Sequence, residues 1–123
     1  MKEIIAIIRP KQMRATKEVL DTLGFPSFLA ISVLGRGHQR GIAGEVSCEL
    51  SPEVLRQAKA GGMKYVPKRL LTIVVPDANV DQVVEAVVRV NQTGEIGDGK
   101  IFICPMEDAL RVRTDETGES AIL

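Results

Sequence analysis

The chain opens on an unbroken apolar run, Ile4-Ile5-Ala6-Ile7-Ile8, the pattern of a strand buried on both faces. Arg9 and Pro10 end it, and Pro10 suits the first turn of a helix, where its missing N–H does no harm. Met13, Thr16, Val19, Leu20 and Leu23 then recur at helical spacing, with Lys17, Glu18 and Asp21 on the other side and Gly24 as the stop. Residues 27–34 read as a second strand, running into Gly35-Arg36-Gly37-His38-Gln39-Arg40-Gly41. From about 41 to 66 the pattern lapses. Ser51-Pro52-Glu53 resembles a helix start and Gly61-Gly62 an end, so a long exposed loop with a helical turn or two is expected. A connection this long inside a compact domain is usually functional or disordered. Residues 69–75 read as a third strand. Asp77 and Asn79 introduce a second helix with Val80, Val83, Val84, Val87 and Val88 on its apolar face. Residues 100–104 give a fourth strand, stopped by Pro105. A turn or short helix over 107–110 and a tail from about 111 to 123 complete the chain.

This order predicts an α+β, ferredoxin-like β-α-β-β-α-β fold in a single domain spanning 1–123. Right-handed crossovers put both helices on one face of a four-stranded antiparallel sheet. The strands are apolar at nearly every position, yet two helices cover only one sheet face. A homo-oligomer packing sheet against sheet is therefore expected.

Charge narrows the partners. Lys plus Arg equals Asp plus Glu at 16 each, so no overall basic field draws nucleic acid or an anionic membrane. Aromatics are 3%, too few for a base-stacking platform. Any anion site has to be local. Cys48 and Cys104 lack metal-ligand spacing and read as reduced thiols of a cytosolic protein. No apolar run is long enough for a membrane span, and the N-terminus does not resemble a signal peptide, so a cytoplasmic location is expected.

Two stretches carry candidate chemistry. In Gly97-Asp98-Gly99-Lys100 the glycines permit backbone conformations that aim N–H groups at an anion, and Lys100 adds a point charge. The same four residues also read as an ordinary turn with a surface lysine. Residues 35–41 place three glycines, two arginines, His38 and Gln39 at a strand end, equally a hinge or an anion site, and no phosphate-binding GxxxxGK[ST] motif occurs. Lys68 lies where the long loop rejoins the sheet. Arg111 and Arg113 alternate, so they point the same way if extended. Together these residues offer cations without a pair of catalytic carboxylates, a nucleophile or a metal cluster, which describes binding rather than catalysis, and no enzyme activity is expected.

The stretches IIAIIRP at 4–10, GRGHQRG at 35–41, VPKRLLTIVVPD at 66–77, NQTGEIGDGKIFI at 91–103 and RVRTDETGESAI at 111–122 together resemble the PII family of nitrogen-regulatory signal proteins. The resemblance covers essentially the whole chain outside the long loop. It implies a homotrimer whose inter-subunit clefts bind ATP or ADP, and it implies sensing of 2-oxoglutarate. Carried over by position, ATP contacts fall on Gly37, His38, Gln39, Gly97, Asp98, Gly99, Lys100, Arg111 and Arg113. The 2-oxoglutarate contacts fall on Gln39, Lys68 and Gly97, with Gln39 also a ligand of Mg²⁺. Residues 41–66 correspond to the target-contacting T-loop. That loop is about ten residues longer than the family's usual one, well into the range of functional loops. It lacks the family's modified tyrosine at its tip, since Tyr65 is the only tyrosine. His38 stands where a basic Arg or Lys is usual, and Leu29 where a threonine often meets the adenine. The longer loop, the VNQTG lead-in and the MKYVPKR junction resemble the nitrogenase-associated branch, in particular the second member of its paralogous pair. That implies control of a nitrogenase component, in a hetero-complex with the paralogue. The other targets the resemblance allows are an ammonium transporter or a nitrogen-assimilation enzyme.

Overall fold

A computed structural model of the 123-residue chain describes residues 1–37 and 65–123. The strands are β1 (Lys2–Ile8), β2 (Leu29–Gly35), β3 (Val66–Val75) and β4 (Lys100–Pro105), and the long helices are α1 (Met13–Thr22) and α2 (Val80–Asn91). A last short helix, α3 (Glu119–Ile122), closes the tail. The sheet order is β2-β3-β1-β4, with every neighbouring pair antiparallel, as the ferredoxin-like reading requires. The expected loop over 41–66 lies outside the described residues, except that Tyr65 leads into β3 and Val66 already belongs to it.

One face of the sheet is sealed by the helices. Ile4, Ala6 and Ile8 of β1 and Leu71, Ile73 and Val75 of β3 pack with Leu20 of α1 and Val83 and Val87 of α2. Burying each of the Ile, Leu and Val side chains is worth about 1.5–3 kcal/mol. Polar groups tie the two helices together at this level. The Asn91 amide donates to the Thr16 hydroxyl at 3.0 Å and to the Val87 carbonyl at 2.9 Å, and the Thr16 hydroxyl donates to the Gln12 carbonyl at 2.8 Å. Gly24, at φ +88°, ends α1 by letting the Phe25 N–H turn back to the Leu20 carbonyl at 2.9 Å.

The opposite face is apolar and only partly covered, with the short helix α3 lying against β3. Register sets Leu29, Thr72, Ile5 and Phe102 in one row across the sheet and Ile31, Leu70, Ile7 and Lys100 in the next. Leu29 is 72% exposed, Ile31 58% and Phe102 46%.

Three boundaries differ from the sequence pattern. β2 begins at Leu29, two residues later than expected. β3 begins at Val66, before Pro67, which reads as a strand breaker. Pro67 is tolerated because it lies opposite Leu34 of β2 but beyond the Ile8–Arg69 pair where β1 joins, so its missing N–H breaks no rung on that side. No helix forms over 107–110. Instead Leu110 bridges to Thr117, and Asp108 accepts the Gly118 N–H at 3.0 Å.

Candidate functional site

The ends of four strands and one turn meet around a cleft of about 390 Å³ on the open side of the sheet. Gly35, Arg36 and Gly37 leave β2, Val66 and Lys68 enter β3, Ile7 closes β1, and Ile96, Gly97, Gly99, Lys100 and Phe102 come from the turn and β4. Of the sequence candidates, Gly37, Lys68, Gly97, Gly99 and Lys100 are thus brought together. The described lining carries Arg36, Lys68 and Lys100 and no carboxylate. Cations at a low-dielectric wall with no counter-charge among the lining residues favour an anionic guest.

The turn over 93–99 is shaped by side chains. No backbone–backbone hydrogen bond lies within 93–98 among the described residues. Asp98 does that work. Its Oδ2 accepts the N–H groups of Thr93 at 2.7 Å and Gly94 at 2.9 Å, and its Oδ1 accepts the Thr93 hydroxyl and Arg9 Nη1, the latter at 2.6 Å. The Thr93 hydroxyl first, then the Arg9 guanidinium and the two N–H groups, hold the Asp98 carboxyl far below the usual carboxylate range. It is therefore ionised, and its charge is spent inside the turn. The resemblance places Asp98 among the ATP contacts, whereas the geometry gives its carboxylate a purely internal set of partners.

Two further contacts fix the turn against the sheet. Arg9 Nη2 donates to the Ile96 carbonyl at 3.1 Å, and Lys68 Nζ donates to the Gly97 carbonyl at 2.7 Å. Arg9 is 5% and Lys68 7% exposed. Gly99 lies so close to β1 that a Cβ on it would sit 1.8 Å from the Ile7 carbonyl oxygen, and its φ is +112°. Only glycine fits there. Arg9 was not singled out by the sequence pattern. The available signal was a charged residue ending an otherwise apolar strand.

The other candidates lie elsewhere. Arg111 and Arg113 do not line the cleft of their own chain. They are not on an extended segment either: the Asp115 N–H turns back to the Arg111 carbonyl at 2.8 Å, with Asp115 at φ +60°. Aspartate tolerates this left-handed conformation better than most residues, which is why the alternation argument fails here. Arg111 pairs with Glu116 at 2.8 Å and donates to the carbonyl oxygens of Ser120 at 2.9 Å and Leu123 at 2.6 Å. Arg113 is exposed. His38 and Gln39 lie outside the described residues. No group of three or more metal-ligating His, Cys, Asp or Glu side chains occurs among the described residues, and no described helix is long and apolar enough to cross a membrane.

The described residues thus form a four-stranded antiparallel sheet with both long helices on one face and a cleft lined by cations and a glycine turn. Residues 1–116 match the family described as nitrogen regulatory protein P-II, and the chain belongs to that family. It is 58% identical over all of its length, and all of the relative's, to the "Nitrogen fixation nifHD region GlnB-like protein 2" of Methanobacterium ivanovii. In Methanothermobacter marburgensis it is 55% identical to the protein of that name, over 99% of this chain and 100% of the relative. It is 42% identical to that organism's "GlnB-like protein 1", over 96% and 99%. The similarity thus runs to the second paralogue of the nitrogen-fixation region. The family is one of regulatory proteins rather than enzymes.

Proposed function

We propose that this chain is a cytoplasmic, single-domain sensor of ATP or ADP and 2-oxoglutarate that regulates nitrogenase through its 41–66 loop. The observation that carries the reading is the cleft in which Lys68, Lys100 and the Gly97–Gly99 turn converge with no carboxylate among the described lining. A phosphate chain fits this chemistry: Lys100 and Arg36 supply charge, and backbone N–H groups near Gly97 and Gly99 can supply direction. Lys68 donates to the Gly97 carbonyl at the cleft, and a 2-oxoglutarate carboxylate is a charged acceptor for the same ammonium.

Arg111 and Arg113 complete the phosphate site from a neighbouring subunit of a homotrimer. The exposed Leu29, Ile31 and Phe102 on this face support such an assembly, because apolar side chains of this kind are stable when another copy covers them. Mg²⁺ suits the reading as a hard cation held mainly by ligand oxygens. Gln39 would contribute one protein donor, and phosphate and 2-oxo acid oxygens would supply others, in keeping with the ion's habit of using few protein ligands. The names of the nitrogen-fixation-region relatives support nitrogenase as the target, and a hetero-complex with the first paralogue is part of the proposal.

Calorimetric titration with MgATP, in the presence and absence of 2-oxoglutarate, tests the sensor. Saturable binding of each, with either ligand tightening the other, is expected. Absence of nucleotide binding at sub-millimolar concentration overturns the reading. Pull-down of the nitrogenase components with the intact chain, but not with one lacking the 41–66 loop, is the expected result for the target.

A further inference from the structure

We propose that Arg9 is the positioning residue of the anion site, fixing the 93–99 turn so that the N–H groups around Gly97 and the Lys100 ammonium meet a phosphate at one set geometry. The inference rests on the reading of that cleft as an anion site and adds a residue to it.

Arg9 is 5% exposed and is not among the described residues that line the cleft. It reaches the turn from the end of β1 with two nitrogens, one to Asp98 at 2.6 Å and one to the Ile96 carbonyl at 3.1 Å. Those two acceptors flank Gly97. The fork of a guanidinium fixes both distances and the angle between them, which a lysine cannot do. Asp98 relays the constraint to the start of the turn through Thr93 and Gly94. Gly99, pressed on the Ile7 carbonyl, seats the other end.

Stability alone is a poor reason for this arrangement. Burying the Arg9 guanidinium costs desolvation that its pairing with the partly exposed Asp98 has to recover, and an apolar substitute of similar volume is often as stable. What the pair supplies is geometry, in a segment with no backbone–backbone hydrogen bonds over 93–98. A turn left to fluctuate would present its N–H groups over many orientations, and the ordering cost would then fall on ligand binding.

The test compares MgATP and AMP affinities, by calorimetry on the intact protein, for wild type, Arg9→Lys, Thr93→Val and Lys100→Ala. The ratio of ATP to AMP affinity isolates the polyphosphate contacts from the rest of the nucleotide. Arg9→Lys keeps the charge and loses the fork. It is expected to lower that ratio about tenfold, mid-range for residues coupled in one hydrogen-bond network. Thr93→Val, at an exposed position, removes one of the Asp98 contacts and is expected to lower the ratio roughly threefold. A role confined to stability lowers the melting temperature and leaves the ratio unchanged. An unchanged ratio in Arg9→Lys and Thr93→Val, with Lys100→Ala weakened for ATP, overturns the inference and spares the anion site. Unchanged ATP affinity in Lys100→Ala overturns both. If Arg9→Lys does not fold, Thr93→Val decides: a lowered ratio supports positioning and a wild-type ratio contradicts it.

Discussion

Two arginines each hold a loop, and they do it differently. Arg9 is buried and clamps the 93–99 turn, where its partner Asp98 gathers two N–H groups and a hydroxyl as well. The Arg111 side chain is 27% exposed and clamps the tail, where its partner Glu116 is 40% exposed and its other acceptors are carbonyls near the chain end. With Arg9 at 6% and Asp98 at 22% exposure, the first clamp is the better shielded from competing water and salt. A partly exposed one is screened, holds weakly and can trade its partners for a better anion. The comparison separates scaffold from contact. The turn is built by the protein alone, while on the proposed reading Arg111 is the guanidinium that a phosphate recruits.

The largest expected effect comes from unseating the buried turn. Gly99→Ala drives a methyl group into the Ile7 carbonyl oxygen and forces a strained φ, so a loss of about 3 kcal/mol or more is expected in denaturant unfolding. A near-neutral result would mean that the turn yields easily and that the contrast with the tail is false.

The pH dependence of stability sharpens the same contrast. The folded-state pKa of Asp98 is depressed below its ordinary 3.8. Its contribution is therefore fully present above the unfolded value and is lost as pH falls below about 4 toward the lower folded value. Asp98→Asn is expected to flatten the stability curve in that acid window, read by thermal melts between neutral pH and strong acid. An unaltered slope would show that the contacts around Asp98 do not act on its ionised form.

The smallest effect on folding falls on the tail. Arg111→Ala is expected to cost less than about 1 kcal/mol of global stability, as for other solvent-accessible ion pairs, while exposing the last residues to proteolysis. The same variant is expected to weaken ATP binding by about 1.5–3 kcal/mol, the range for hydrogen bonds to charged groups. Loss of stability without loss of affinity would make Arg111 a second scaffold residue and erase the distinction.

The apolar runs at 4–8 and 69–75 and the valine stripe of α2 made the sheet and its helices legible, because burial writes a periodic pattern into contiguous sequence. Lys68 and Lys100 were legible as candidate cations, and their meeting at one cleft follows from the strand order. Arg9 was not, because its partner Asp98 is 89 residues away and nothing local marks a buried guanidinium. The bend at Arg111–Asp115 was missed for a related reason. Alternation predicts a common direction only in extended chain, and Asp115 instead takes a left-handed conformation. Pro67 misplaced the start of β3 because a strand breaker is harmless where one neighbour strand is absent.

The central claim is that one cleft binds two anions, with Lys100 serving the nucleotide and Lys68 the 2-oxo acid. Titrating MgATP and then 2-oxoglutarate into Lys100→Ala and Lys68→Ala measures this directly. The account predicts a split, with Lys100→Ala losing ATP affinity and Lys68→Ala keeping ATP while losing the response to 2-oxoglutarate. Wild-type affinity for both ligands in both variants would contradict it.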